Sequence, residues 1–185
     1  MNLESYISGY VDGEGCFNVS FSKRDKMNTG WEVKASFSVS QNEDRSQVLR
    51  MMQQYFGCCT LRRDYHDKTL KLETRQILNL TEKIIPHFQK YPLLSDKKKD
   101  FELFVQVCNL IAAQQHLTIM GMRKIVGLAF QMNSSGRRRY AKKEILDSLA
   151  EKDIVSARSN TGNEHEVQTR MNSGTTGGLS QPIAR

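Results

Sequence analysis

The chain has 185 residues, with 27 Lys and Arg against 20 Asp and Glu, a formal net charge of +7 and 38% hydrophobic residues. That length fits one domain with its own core, and the basic balance points to a polyanionic partner. No apolar run approaches the roughly 18 residues of a membrane span, and no charged-then-apolar leader opens the chain, so a soluble intracellular protein is expected.

The charge is unevenly placed. Residues 1–150 hold 23 Lys and Arg against 16 Asp and Glu, whereas 151–185 hold 4 of each. The basic excess therefore falls in an expected domain over 1–150. Apolar residues thin out after Ala150, and 171–185 is rich in Gly, Ser and Thr, so 151–185 reads as a flexible C-terminal extension. Cys16, Cys58, Cys59 and Cys108 show no CxxC spacing and are expected as reduced, buried thiols. His66, His87, His116 and His165 are too scattered for a zinc site.

In chain order, Leu3, Ile7, Tyr10 and Val11 recur at helical spacing and predict an N-terminal helix. Two of its features break local rules. Gly9 lies inside it, at about 1 kcal/mol relative to alanine, which calls for a close approach by a second helix. Asp12 and Glu14 stand at its C-terminal end, where the helix dipole is negative and a carboxylate needs a nearby cation; a bound divalent metal would supply one.

Cys16 to Arg24 then alternates, with Phe17, Val19 and Phe21 on one side, and Trp31 to Gln41 alternates again, with Val33, Ala35, Phe37 and Val39 on one side. These read as the two strands of a hairpin turning over 25–30. Asn42-Glu43-Asp44 offers caps for a helix from about Arg45 to Phe56, ended by Gly57. A second hairpin, Cys59 to Tyr65 and Thr69 to Thr74, turns through His66-Asp67-Lys68, and a helix follows from about Gln76 to Phe88. Beyond Pro92, helical periodicity recurs over Lys97 to Gln114 and Thr118 to Met132, with a short helix near Leu149. The two hairpins together form a curved antiparallel four-stranded sheet whose apolar face needs helical cover.

The other face is polar. Asn18, Ser20, Ser22, Arg24, Lys34, Ser36, Ser38, Arg62, Lys71 and Glu73 mix donors, acceptors and positive charge, as base-edge readout requires. A strand of ten residues spans roughly 33 Å, close to one turn of B-DNA. Arg137, Arg138 and Arg139 are candidates for phosphate contact, which adds salt-sensitive affinity without sequence information.

Ile7-Ser8-Gly9-Tyr10-Val11-Asp12-Gly13-Glu14-Gly15 resembles the motif of LAGLIDADG homing endonucleases, and the order of elements from Leu3 to about Leu149 resembles the members with a single motif. That resemblance implies an α+β, αββαββα fold with additional C-terminal helices, acting as a homodimer on double-stranded DNA. It implies that Ser8, Gly9 and Gly13 lie where two motif helices meet. It places Mg²⁺ at the Glu14 carboxylate and the Gly13 carbonyl; glutamate replaces the commoner aspartate and keeps the oxygen donors. It further implies catalytic roles for Glu14, Gln41, Arg45 and Lys97, with Asp12 holding the end of the motif. The expected reaction is hydrolysis of both strands of a long, pseudo-palindromic site with staggered cuts, in an organelle or a prokaryotic cytoplasm. An RNA-binding intron maturase and a cleavage-incompetent DNA-binding protein are alternatives on the same fold.

Overall fold

The computed structural model describes residues 2–155 other than 66, 67, 134 and 135. Helix α1 (Leu3–Glu14) runs directly into β1 (Gly15–Lys23), and β2 (Trp31–Asn42) returns antiparallel, pairing Gly15 with Val39 and Lys23 with Trp31. A 3₁₀ turn (Glu43–Arg45) and α2 (Gln47–Phe56) precede the second hairpin, β3 (Thr60–Asp64) and β4 (Thr69–Thr74). The sheet order is β1-β2-β4-β3, with all neighbours antiparallel. Next come α3 (Ile77–Asn79), a π-helical turn (Leu80–Ile84) and α4 (Ile85–Lys90), followed by α5 (Lys97–Ala112), α6 (Ile119–Ala129) and α7 over 142–155. This is an α+β fold with the expected αββαββα order and additional C-terminal helices.

Period-2 patterning decides the sheet. Gly15, Phe17, Val19 and Phe21 of β1, together with Val33, Ala35, Phe37 and Val39 of β2, face the helices and are buried. Phe17 is the hub, with ring centroids 5.4 Å from Phe37, 5.5 Å from Phe88, 5.1 Å from Phe101 and 5.3 Å from Phe104. Each fully buried Phe contributes on the order of 2 to 3 kcal/mol of transfer free energy, so this cluster clamps α4 and α5 onto the sheet.

Three local departures from the expected elements have identifiable causes. The helix expected from Arg45 opens as a 3₁₀ turn, because the Ser46 hydroxyl and N–H both donate to the Glu43 carbonyl, at 2.7 and 3.3 Å. The helix over 77–90 widens into a π turn just before Pro86, which has no N–H for a bond four residues back and whose ring crowds the preceding turn. Helix α7 continues to 155, five residues into the expected extension; Ile145 and Leu149 on it are fully buried beside Trp31, whose Nε1 donates to Ser148 Oγ at 3.3 Å. The rest of the expected extension lies outside the described residues.

Candidate active site

At its start, α1 is capped by Asn2, whose Oδ1 accepts from the N–H groups of Glu4 and Ser5 at 3.0 and 3.2 Å. Its other end meets a cation within the chain. Lys97, the first residue of α5, donates its ammonium to the carbonyls of Val11 (3.0 Å), Gly13 (3.2 Å) and Gly15 (2.6 Å). The negative end of the α1 dipole is thereby neutralised without a metal. Asp12 answers in the opposite direction: its carboxylate accepts from the N–H groups of Leu94 and Ser95, at 3.1 and 2.9 Å, and from the Ser95 hydroxyl at 2.5 Å. Burial alone would push the Asp12 carboxyl up, but these hydrogen bonds and Lys97 outweigh it and hold it below the usual carboxylate range.

The three glycines and the serine of the motif part company. Ser8 is buried, donating to the Tyr91 carbonyl at 2.7 Å and lying 3.2 Å from His87 Nε2. It ties α1 to α4 within one chain, which corrects its expected place on a surface between two helices. Burial pushes His87 down to about 4, so the ring is neutral, and its Nδ1 pairs with the Tyr55 hydroxyl at 3.0 Å. Gly9 and Gly13 are exposed, and a Cβ at either would meet nothing within 4 Å. Nothing among the described residues requires glycine there. Gly15 differs: a Cβ would lie 2.5 Å from Val11 Cγ1, so the sharp passage from helix to strand demands glycine.

Glu14 ends α1 on the surface, and no hydrogen bond or ion pair engages its carboxylate among the described residues. No group of three or more His, Cys, Asp or Glu side chains converges among them either. Gln41, near the end of β2, donates from Nε2 to the Tyr10 hydroxyl at 2.6 Å, and its Oε1 accepts from the Asn42 N–H at 2.8 Å. Arg45 projects from the 3₁₀ turn with 79% of its side chain exposed, 4.0 Å from Asp44.

The polar face of the sheet is ordered in rows across the strands. Ser22 opposes Glu32, Ser20 opposes Lys34 and Asn18 opposes Ser36; Cys16, Ser38, Glu73 and Thr60 form a row across all four strands, and Ser40, Lys71 and Arg62 another. Cys16 is thus exposed on this face, not buried as expected. Two acids organise the cations: Glu32 holds Arg24 and Lys34 at 2.9 and 3.0 Å, and Glu73 holds Lys71 and Arg75 at 3.2 and 2.9 Å. Burial raises the Glu73 carboxyl, and Arg75 and Lys71 more than reverse that. Ser36 and Ser38 lie low between their longer neighbours and are buried, forming the floor of a groove of about 210 Å³. Arg75 was missed in the sequence, although Lys71, Glu73 and Arg75 continue one alternation.

The three consecutive arginines separate as well. Arg138 is turned inward, donating to the carbonyls of Ala129, Met132 (2.9 Å) and Val19 (3.3 Å) and stacking its guanidinium 4.6 Å from the Phe130 ring. It closes the end of α6 and, with Asn133 Nδ2 on the Phe17 carbonyl at 2.8 Å, covers the edge of β1. Arg138 is half-buried, with the carbonyls of Val19, Ala129 and Met132 as its partners, where a phosphate contact was expected. Arg137 and Arg139 remain exposed beside Asn18 and Ser20.

The sequence profile of LAGLIDADG endonucleases matches residues 7–108. The chain belongs to the LAGLIDADG endonuclease family. Its LAGLIDADG motif spans the second half of α1, with the exposed Gly9, Gly13 and Glu14, and ends at Gly15, the first residue of β1. The "Probable intron-encoded endonuclease 2" of Neurospora crassa is 33% identical over 123 residues, covering 66% of this chain and 27% of that relative. The I-LtrWI LAGLIDADG homing endonuclease, solved bound to target DNA, superposes with a TM-score of 0.73 at 38% identity over 77% of this chain and 48% of its own. The homing endonuclease I-TnaI gives a TM-score of 0.69 at 32% identity over 80% and 97%. The chain therefore spans about a quarter of the Neurospora relative, half of I-LtrWI and nearly all of I-TnaI. Among the described residues, no helix is long and apolar enough to cross a membrane.

Proposed function

We propose that this LAGLIDADG chain acts as a homodimeric, Mg²⁺-dependent homing endonuclease that cuts both strands of a long, pseudo-palindromic DNA site with a stagger. One observation carries the reading: Gly9 and Gly13 present an open helix face with no internal use, and a single unengaged carboxylate, Glu14, stands at its end. A second copy packed on that face would bring two Glu14 side chains together where the polar sheet faces begin. The Glu14 carboxylate is a hard oxygen donor suited to Mg²⁺, and the Gly13 carbonyl, which accepts from Lys97 at 3.2 Å, has a second lone pair that could join it. Bound there, the metal would neutralise phosphate charge and favour a nucleophilic water.

The chain's own groups supply the rest. Gln41 has one amide N–H and one carbonyl lone pair still free to orient a water. Arg45 is exposed and open to a phosphate, and Lys97 supplies fixed positive charge behind Glu14. Asn18, Ser20, Ser22, Arg24, Lys34, Arg62, Lys71 and Glu73 read base edges, Ser36 and Ser38 contribute through the groove floor, and Arg137 and Arg139 hold the backbone. The reading places the protein in an organelle or a prokaryotic cytoplasm, with introns as its genetic setting.

The test is cleavage, with Mg²⁺, of an intron-free copy of the host locus by wild type and Glu14→Gln. The expected outcome is double-strand cleavage by wild type and a loss of at least about a thousandfold in Glu14→Gln with unchanged DNA affinity. Undiminished cleavage by Glu14→Gln would refute the assignment. Stimulated splicing of the host intron RNA without DNA cleavage would replace it with the maturase reading.

A further inference from the structure

The Tyr10 ring packs against the edge of the core, but that packing gives no role to its hydroxyl. Tyr10 lies one helical turn before Glu14, at i and i+4, so both side chains rise from neighbouring points of the same helix face. Its ring is half-buried, 6.3 Å from that of Tyr6, and its hydroxyl reaches across to β2 to accept from Gln41 Nε2 at 2.6 Å. The other end of the same amide is fixed by the Asn42 N–H on Gln41 Oε1 at 2.8 Å.

The Asn42 N–H, which can only donate, sets which end of the amide is Oε1, and the Tyr10 hydroxyl holds the opposite end in place. Gln41 closes β2 near the chain's passage into the 3₁₀ turn, and its terminal torsion is intrinsically broad and two-fold, so an unrestrained side chain would sample both orientations. With Nε2 on Tyr10 and Oε1 on Asn42, one donor and one acceptor are left facing out in a defined arrangement. The Tyr10 hydroxyl, having accepted from Gln41, keeps its own proton for a further acceptor.

We infer that Tyr10 is a positioning residue: its hydroxyl locks the Gln41 amide in the orientation that aligns the attacking water, and so ties β2 to the helix that carries Glu14. This rests on the endonuclease reading proposed above and deepens it by naming what sets the geometry of one of its groups. The hydroxyl makes no other hydrogen bond among the described residues, so removing it alone leaves the ring's packing in place.

The experiment is a double-mutant cycle of Tyr10→Phe and Gln41→Ala, read as the single-turnover cleavage rate at saturating DNA, with DNA affinity and Tm measured in parallel. Tyr10→Phe is expected to slow cleavage by a few-fold to about tenfold, the worth of one hydrogen bond, with affinity unchanged and Tm lowered by no more than a few degrees. In the Gln41→Ala background the same change should have no further effect. An equal slowing in both backgrounds, or none in wild type, overturns the inference. The ¹⁵N relaxation of the Gln41 side-chain amide gives an answer independent of cleavage: it should be ordered in wild type and mobile in Tyr10→Phe. An equally ordered amide in the variant overturns the inference whether or not the protein cleaves DNA, and failure of wild type to cleave counts against the endonuclease reading alone.

Discussion

Lys97 resolves a conflict that the sequence states openly. Two acids at a helix C-terminus need a cation, and the chain provides one from the first turn of α5, with three carbonyls converging on its ammonium. Charge-assisted hydrogen bonds of this kind contribute roughly 1.5 to 3 kcal/mol where the acceptors are part-buried. Replacing Lys97 by Met is therefore expected to lower the free energy of unfolding by about that amount in urea titration. The same change at Lys98, exposed one position along, should stay within about 0.5 kcal/mol. Equal effects at the two positions would show that the carbonyl contacts contribute nothing. The resemblance singled out Lys97 from a run of three lysines; its partners were not legible, because they depend on how α5 crosses the end of α1. Asp12 was legible as the residue that holds the motif's end, whereas its partners Leu94 and Ser95 lie 82 and 83 positions away.

Among the elements, the strands were the most readable, since alternation in β1, β2 and β4 directly encodes a buried and a polar face. Local sequence carried less about the helices. Pro86 gives a reason for the π turn only once the flanking helix is known to run through it. The 133–140 segment was least readable, because three consecutive arginines look alike until one finds a helix end to close. Arg138→Ala is expected to lower Tm by several degrees and leave the salt dependence of DNA binding unchanged, as it removes three carbonyl contacts and no exposed charge site. Arg137→Ala with Arg139→Ala should do the reverse, reducing the slope of log affinity against log salt by up to about 2. Ser8 taught the same lesson in α1, where a small residue in the motif serves the inside of the chain and the glycines do not.

The whole molecule is basic, with a formal net charge of +7. Most of its charge excess, its polar sheet face and the Glu14 carboxylate sit in the described domain, where Asp12 is engaged by Leu94 and Ser95 and Glu14 alone at the end of α1 makes no hydrogen bond or ion pair among the described residues. The proposed second copy is a question of stoichiometry, since the chain matches nearly all of I-TnaI but half of I-LtrWI. Sedimentation equilibrium of Glu14→Gln on a duplex carrying the intact intron insertion site, in Mg²⁺, counts the chains on uncut DNA. Two chains per duplex, adding twice the 21.2 kDa chain mass, is the expected result. One chain per duplex, from a protein whose wild type still cuts both strands, would contradict a site completed by a second Glu14.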